Sequence, residues 1–221
     1  MKSPVYITIV ILLLLFKMLF PQEYQVDEHT VALWHFNEGT GTITNDAGIN
    51  EFIGKIVGAT WTSSGRFGNA LNFNGAEYVD FDQDLDLHNE LSIEAWVQTT
   101  AMPDNDNYCI ISKFENDGNE WKSFYFAIRK DRYGNFEFDG AFGFGYDLNI
   151  YSSVPWDNKM HHFAMTFKNG QVKGYIDGIF IGAVSAGTTT IPNTNQSIWV
   201  GCRGNNGQTT GRMFMKGIMD E

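Results

Sequence analysis

The sequence predicts an all-β protein, a sandwich or barrel of short antiparallel strands. Composition points there first. Gly 23, Phe 18, Tyr 9 and Trp 6 among 221 residues combine turn formers with side chains that suit a pleated, half-buried surface, and the chain carries neither heptads nor long alanine-rich tracts. Patterning agrees. In "QVKGYID", Val172, Gly174 and Ile176 alternate with Lys173, Tyr175 and Asp177, the period-2 signature of a strand with one face on a core. Punctuation is the third observation. Asn169-Gly170 and Asp177-Gly178 bracket that strand with pairs that take positive φ at little cost, as two-residue hairpin turns require.

In chain order, the first segment differs from all the rest. "MKSPVYITIVILLLLFKMLF" offers Lys2, an apolar run from Val5 to Phe16, and then Lys17. The run has the length of a signal-peptide core and falls short of the roughly 20 residues that span a bilayer. "FPQEYQ" lacks a small-x-small cleavage site, so a cleaved signal and an uncleaved anchor with a snorkelling Lys17 both stay open. Residues 1–22 are assigned to this segment and residues 26–221 to one domain, with an extracytoplasmic location expected.

From Val31 onward the predicted strands are "VALWHFN", "IGKIVGATW", "NALNFNG", "EYVDF", "LSIEAWVQT", "CIISKF", "KSFYFAIRK", "NFEFDGAFGF", "HHFAMTFK", "QVKGYID", "IFIGAV", "SIWVG" and "FMKGIMDE". Turn signals such as Asn74-Gly75, Asp117-Gly118 and Tyr133-Gly134 separate them. In "LSIEAWVQT", Leu91, Ile93, Ala95 and Val97 share the core face, leaving Trp96 among Ser92, Glu94 and Gln98, where it covers a neighbouring strand or serves as a ligand platform. The turn-rich stretches "TTAMPDNDN" and "GTTTIPNTNQ" are expected to cross between sheets. With 43% hydrophobic residues the chain can bury one sizeable core, and no linker interrupts it.

Charge and cysteines narrow the function. A formal net charge of -11 without a Lys/Arg run repels a phosphate backbone and excludes nucleic acid as a partner. Cys109 and Cys202 each lie in an apolar run, as a disulfide of an exported chain or as buried free thiols. Neither belongs to a CxxC pair, so zinc-ribbon and thioredoxin-like chemistry have no support.

Taken together, "LWHFNEGTGTITNDAG", "GRFGNALNFNGAEYVDF", "LSIEAWVQ", "HHFAMTF" and "GYIDGIFIG" resemble the LamG-like jelly-roll domains of the concanavalin A-like lectin and glucanase superfamily, and more distantly the pentraxins. The resemblance covers Val31 to Glu221 and implies two antiparallel sheets packed face to face, with binding carried by loops at the edges and by the curved sheet. In the family the last motif runs on in a pattern like "IDEVRIYNRAL" and pairs next to the N-terminal strand. By that resemblance the ending "GIMDE" implies a strand cut short and an incomplete edge.

Because the superfamily includes glycoside hydrolases, the resemblance raises the question of a catalytic acid pair. Retaining enzymes need two carboxyl groups about 5 Å apart on one surface. "YVDFDQDLDLHNE" alternates Asp80, Asp82, Asp84 and Asp86 but lacks the apolar neighbours that raise one pKa, and "LSIEAWVQT" supplies Glu94 alone. His161-His162 opens a strand with no nucleophile at a recognisable spacing. The domain therefore reads as non-catalytic.

Binding is the remaining class. By resemblance, Asp46 of "TNDAGIN" and Asp220 of "GIMDE", with carbonyls near Gly48 and Asn50, would hold a structural Ca2+; Asp46 making only an Asx turn is the alternative. The paired calcium site of pentraxins finds an echo in Asp117, Asn119 and Glu120, yet Cys202, Arg203 and Gly204 stand where its acidic segment would be, and Ala95 and Ala164 where its disulfide would be. Sugar recognition needs an aromatic face beside planar polar groups. Trp121, Tyr146, Asp147, Asn149 and Tyr151 supply that mixture. The expected function is thus an exported, non-catalytic adhesion or carbohydrate-binding module whose partner is a glycan. The alternatives are a protein-protein module without sugar ligand and a degenerate hydrolase.

Overall fold

A computed structural model of the chain describes residues 22–83, 85, 89–99, 106–116, 121–131, 133, 136–142, 149–151, 157–205 and 208–221. The segment assigned to export or anchoring lies outside these residues but for Gln22. Among the described residues no helix is long and apolar enough to cross a membrane.

Strands run β1 Ile43–Asn45, β2 Ile53–Val57, β3 Thr60–Thr62, β4 Ala70–Asn74, β5 Tyr78–Asp80, β6 Glu90–Thr99, β7 Asp106–Asn116, β8 Trp121–Lys130 and β9 Phe136–Phe142. They continue as β10 Ile150–Tyr151, β11 Met160–Lys168, β12 Gln171–Ile176, β13 Ile179–Ser185, β14 Trp199–Val200, β15 Arg203–Asn205, β16 Gln208–Arg212 and β17 Lys216–Asp220. One sheet has the order β1-β2-β5-β14-β7-β8-β9-β10 and the other β13-β12-β11-β6-β17-β4-β3, all pairings being antiparallel; β15 and β16 form a small hairpin. This is the expected antiparallel two-sheet jelly-roll sandwich.

Strand alternation builds the core. Phe126 and Phe138 stack with centroids 5.2 Å apart inside the first sheet, and Phe138 meets Phe163 of the second sheet at 5.8 Å, so aromatic contact joins the two layers. Phe124, Ile128, Met165 and Phe167 extend this layer and are fully buried. The hairpins around β12 form as the sequence predicts, with φ of 51° and 73° at Asn169-Gly170 and 50° and 76° at Asp177-Gly178.

Both predicted crossings connect strands of different sheets: β6 to β7 after Thr99, and β13 to β14 over residues 186–198. Fully buried Lys113 of β7 pins the second, its Nζ donating to Asn193 Oδ1 and to the Thr194 carbonyl.

Three elements differ from expectation. "IGKIVGATW" is two strands rather than one, because Gly58, at φ 80°, sends the chain from β2 in one sheet to β3 in the other. "VALWHFN" forms no strand; Leu33 N–H donates to the Asp46 carboxylate, Ala47 N–H donates to the Leu33 carbonyl, and Phe36 at φ 50° breaks the extended path. Finally, β17 is not an edge beside the first strand but lies between β4 and β6. Gly217 permits this, for a Cβ there would overlap the Gln98 carbonyl of β6. Cys109 and Cys202 are free, fully buried thiols, and burial pushes both well above the usual thiol range.

Candidate functional site

The alternation that buries Phe124, Phe126, Ile128 and Phe138 in the core sends Tyr125, Ala127, Arg129, Glu137 and Asp139 to the outer face of the eight-stranded sheet. A polar seam results. Asn107 of β7 donates from Nδ2 to Asp139 Oδ2 at 2.9 Å, the Tyr125 phenol of β8 donates to Asp139 Oδ1 at 3.0 Å, and Arg129 Nη1 lies 3.3 Å from Glu137 Oε1. Asp139 on β9 thus draws together β7 and β8. The two carboxylates are buried, Asp139 at 1% and Glu137 at 2% exposure, whereas 28% of the Arg129 side chain stays open to solvent. At one end of the seam the Arg203 guanidinium lies 5.1 Å from the Tyr125 ring centroid and 4.8 Å from that of Phe114.

Two of the predicted sugar-binding residues border this seam. Tyr151 pairs with Glu137, which in turn pairs with Arg129. Asn149, one residue before the Ile150–Phe138 pair, is half-buried, and its Oδ1 finds no hydrogen-bond partner among the described residues. Trp121 is not brought to them. It lies eight residues from Arg129 along β8, a separation of about 26 Å at the rise of a strand. Tyr146 and Asp147 lie outside the described residues, as do Asp117, Asn119, Glu120, Asp84 and Asp86.

Glu137 and Asp139 are the two seam acids that sequence reasoning missed. Their signal is present in "NFEFDG", where two acids alternate with phenylalanines, but it is less conspicuous than the Asp-rich stretch after Tyr78. There, Asp80 Oδ1 only accepts from the Asp82 N–H in a turn. The expected calcium pair holds separate pieces of backbone. Asp46 Oδ1 accepts from the N–H groups of Leu33 and Gly48, the second contact closing an Asx turn, while Asp220 Oδ2 accepts from the Phe67 N–H.

The outer face of the seven-stranded sheet carries a second polar group. His162 Nε2 lies 2.7 Å from the Tyr24 phenol oxygen and 3.1 Å from Glu94 Oε2. Burial, then the negative charges of Glu94 and Glu221, push the Tyr24 phenol well up. Trp96 is half-buried between His162, at 5.2 Å, and the Arg66 guanidinium, at 4.6 Å, so it covers its neighbours. His161 sits at the strand start between Asp177 and Asp157, at 2.7 and 2.9 Å. Farther along this face, Ser92, Thr166, Lys173 and Tyr175 line a shallow cleft of about 630 Å³.

A family profile described as the concanavalin A-like lectin/glucanases superfamily matches residues 73–221. No curated protein matches the chain. Among solved structures, domain 4 of AbnA, a GH43 extracellular arabinanase from Geobacillus stearothermophilus, in complex with arabinotriose, is 19% identical with a TM-score of 0.58, over 86% of this chain and 90% of that one. The binding domain of Paraclostridial Mosquitocidal Protein 1 is 15% identical with a TM-score of 0.56, over 85% of this chain; the match spans about half, 48%, of that longer domain. A heptameric SAP-like pentraxin from Limulus polyphemus is 13% identical with a TM-score of 0.54, over 68% of this chain and 72% of its own. At such identities the likeness is one of fold.

Proposed function

The chain belongs to the concanavalin A-like lectin/glucanases superfamily, and from that premise we propose that it is an exported, non-catalytic module that binds carbohydrate. The observation that carries this reading is the seam on the outer face of the eight-stranded sheet. The Asn107 amide and the Arg129 guanidinium are the groups of the seam that reach solvent, held in place by the buried Asp139 and Glu137 carboxylates and bordered by Asn149 and Tyr151. Sugar hydroxyls are satisfied by such planar groups, and bidentate contacts of this kind fix a ring's orientation. Both acids are engaged by structural donors, which suits orientation of a ligand better than proton transfer to it. Similarity of fold to an arabinanase domain whose structure is in complex with arabinotriose supports a glycan as the ligand class. Export is supported by the N-terminal apolar run flanked by Lys2 and Lys17.

Calcium belongs to the same proposal. Its support is that Asp46 Oδ2 and Asp220 Oδ1 are buried without a hydrogen-bond partner among the described residues. A glycan array read with and without calcium tests the whole reading. Binding to a defined glycan class, lost in Arg129→Ala, is expected; a blank array together with capture of a protein partner would replace it with a protein-protein module.

One observation favours a second reading, a degenerate glycoside hydrolase. Glu137 and Asp139 alternate on one face of β9, the arrangement that brings two carboxyl groups to the spacing of a retaining pair. Release of reducing sugar from a polysaccharide, abolished in Glu137→Gln, would establish it.

A further inference from the structure

Glu23 and His35 lie far in sequence from Glu221, yet one possible ligand atom from each of the three lies within 4.8 Å of the others. We propose that they form a binding site for a first-row transition-metal dication such as Zn2+, a clasp that fastens the segment around Glu23 and the stretch around His35 to the end of β17.

The donor set decides the class of ion. Two carboxylates and one imidazole suit Zn2+, Co2+ or Ni2+, whereas Ca2+ and Mg2+ favour oxygen-only shells of six or more ligands. Geometry supplies the preorganisation. The Glu221 side chain is 0% exposed; one of its carboxylate oxygens contacts His35 Nδ1 and the other accepts from the Tyr24 N–H at 3.2 Å. Glu23 is oriented by Asn37, whose Nδ2 donates to Oε1 at 2.7 Å and leaves Oε2 to serve as ligand. Without an ion, His35 and Glu221 hold each other directly. With one, the metal takes the place of that contact.

An independent observation concerns the residue beside Glu221. Asp220 is fully buried, its Oδ1 has no hydrogen-bond partner among the described residues, and it is within electrostatic reach of both Glu23 and Glu221. Three carboxyl groups thus lie within electrostatic reach of one another, an arrangement that a dication relieves. Asp220 is common to this site's surroundings and to the calcium proposed at Asp46 and Asp220, and His35 and Glu23, which belong to this one alone, tell the two apart.

The test is titration of the purified, chelator-treated full chain with ZnCl2 and, in parallel, CaCl2, read by calorimetry and thermal unfolding, for the wild type, His35→Gln and Glu23→Gln. The expected result is one Zn2+ per chain with micromolar or tighter affinity and a raised Tm in the wild type. A loss of affinity of at least tenfold in each variant and no competition from Ca2+ are expected with it. Co2+ substitution should give a visible d–d spectrum in the wild type and none in His35→Gln. Absence of Zn2+ binding to the wild type, or binding unchanged in His35→Gln, overturns the proposal. Binding of Ca2+ that is indifferent to His35→Gln speaks only for the Asp46 and Asp220 reading, and without a Zn2+ response it too overturns this one.

Discussion

The Tyr24 phenol oxygen and His162 Nε2 lie 2.7 Å apart, although 138 residues separate them in sequence. This contact ties the segment before the first strand to the middle of the seven-stranded sheet. Tyr24→Phe removes the hydroxyl and keeps the ring, so it is expected to cost about 1 kcal/mol. Denaturant unfolding reads the loss, and amide exchange near Tyr24 should quicken more than exchange in β11. Equal protection in variant and wild type would show that the contact does not fasten the segment.

His161 gives the protein a pH-dependent element. Burial lowers its pKa, but the hydrogen bonds and charges of Asp177 and Asp157 outweigh that and hold it above its ordinary value of 6.5. The sign follows directly: the folded state binds this proton more tightly than the unfolded chain. The stabilisation is fully present below pH 6.5 and is lost as pH rises through the folded pKa. Wild type should therefore exceed His161→Gln in stability at pH 5.5, with the gap closing by about pH 8.5. A gap that stays constant over that range contradicts the assignment.

Lys113 is a buried cation whose Nζ holds the crossing over residues 186–198. Lys113→Met fills the stem's volume but leaves the Thr194 carbonyl without its ammonium donor. The expected loss is about 3 kcal/mol, measured as a lowered urea midpoint. A change below about 0.5 kcal/mol would mean that the crossing is held by other contacts.

Gly217→Ala tests how β17 is seated. A methyl group at φ 142° would meet the Gln98 backbone, so the pairing of β17 with β6 must shift. Poor soluble yield or a Tm lowered by more than about 10 °C is expected. A well-folded variant of unchanged Tm would refute the close approach of these strands.

How far the sequence spoke can be judged residue by residue. Asn169-Gly170 and Asp177-Gly178 were legible because hairpin chemistry is local, and the alternation of Ile93, Ala95 and Val97 against Trp96 was legible because strand periodicity is local too. The split at Gly58 was not, since a glycine inside an apolar run looks the same whether the strand continues or changes sheet. Nor was the insertion of β17 between β4 and β6, which depends on pairings far apart in sequence. For the site, the mixture of aromatic and polar residues makes Asn149 and Tyr151 legible, whereas Glu137 and Asp139 look like any acids in an alternating strand. Only the register of β8, β9 and β10 places those acids beside them. The cluster of Glu23, His35 and Glu221 joins residues up to 198 positions apart, and no motif announces it.

The measurement that tests the central claim most directly is backbone amide chemical-shift mapping of the protein titrated with soluble arabino-oligosaccharides and with a panel of other glycans. Saturable shifts concentrated around Asn107, Arg129, Glu137, Asp139 and Asn149, and suppressed in Asn149→Ala, are the predicted result. Saturable shifts confined to the seven-stranded sheet, or no shifts with any glycan at millimolar concentration, would contradict it.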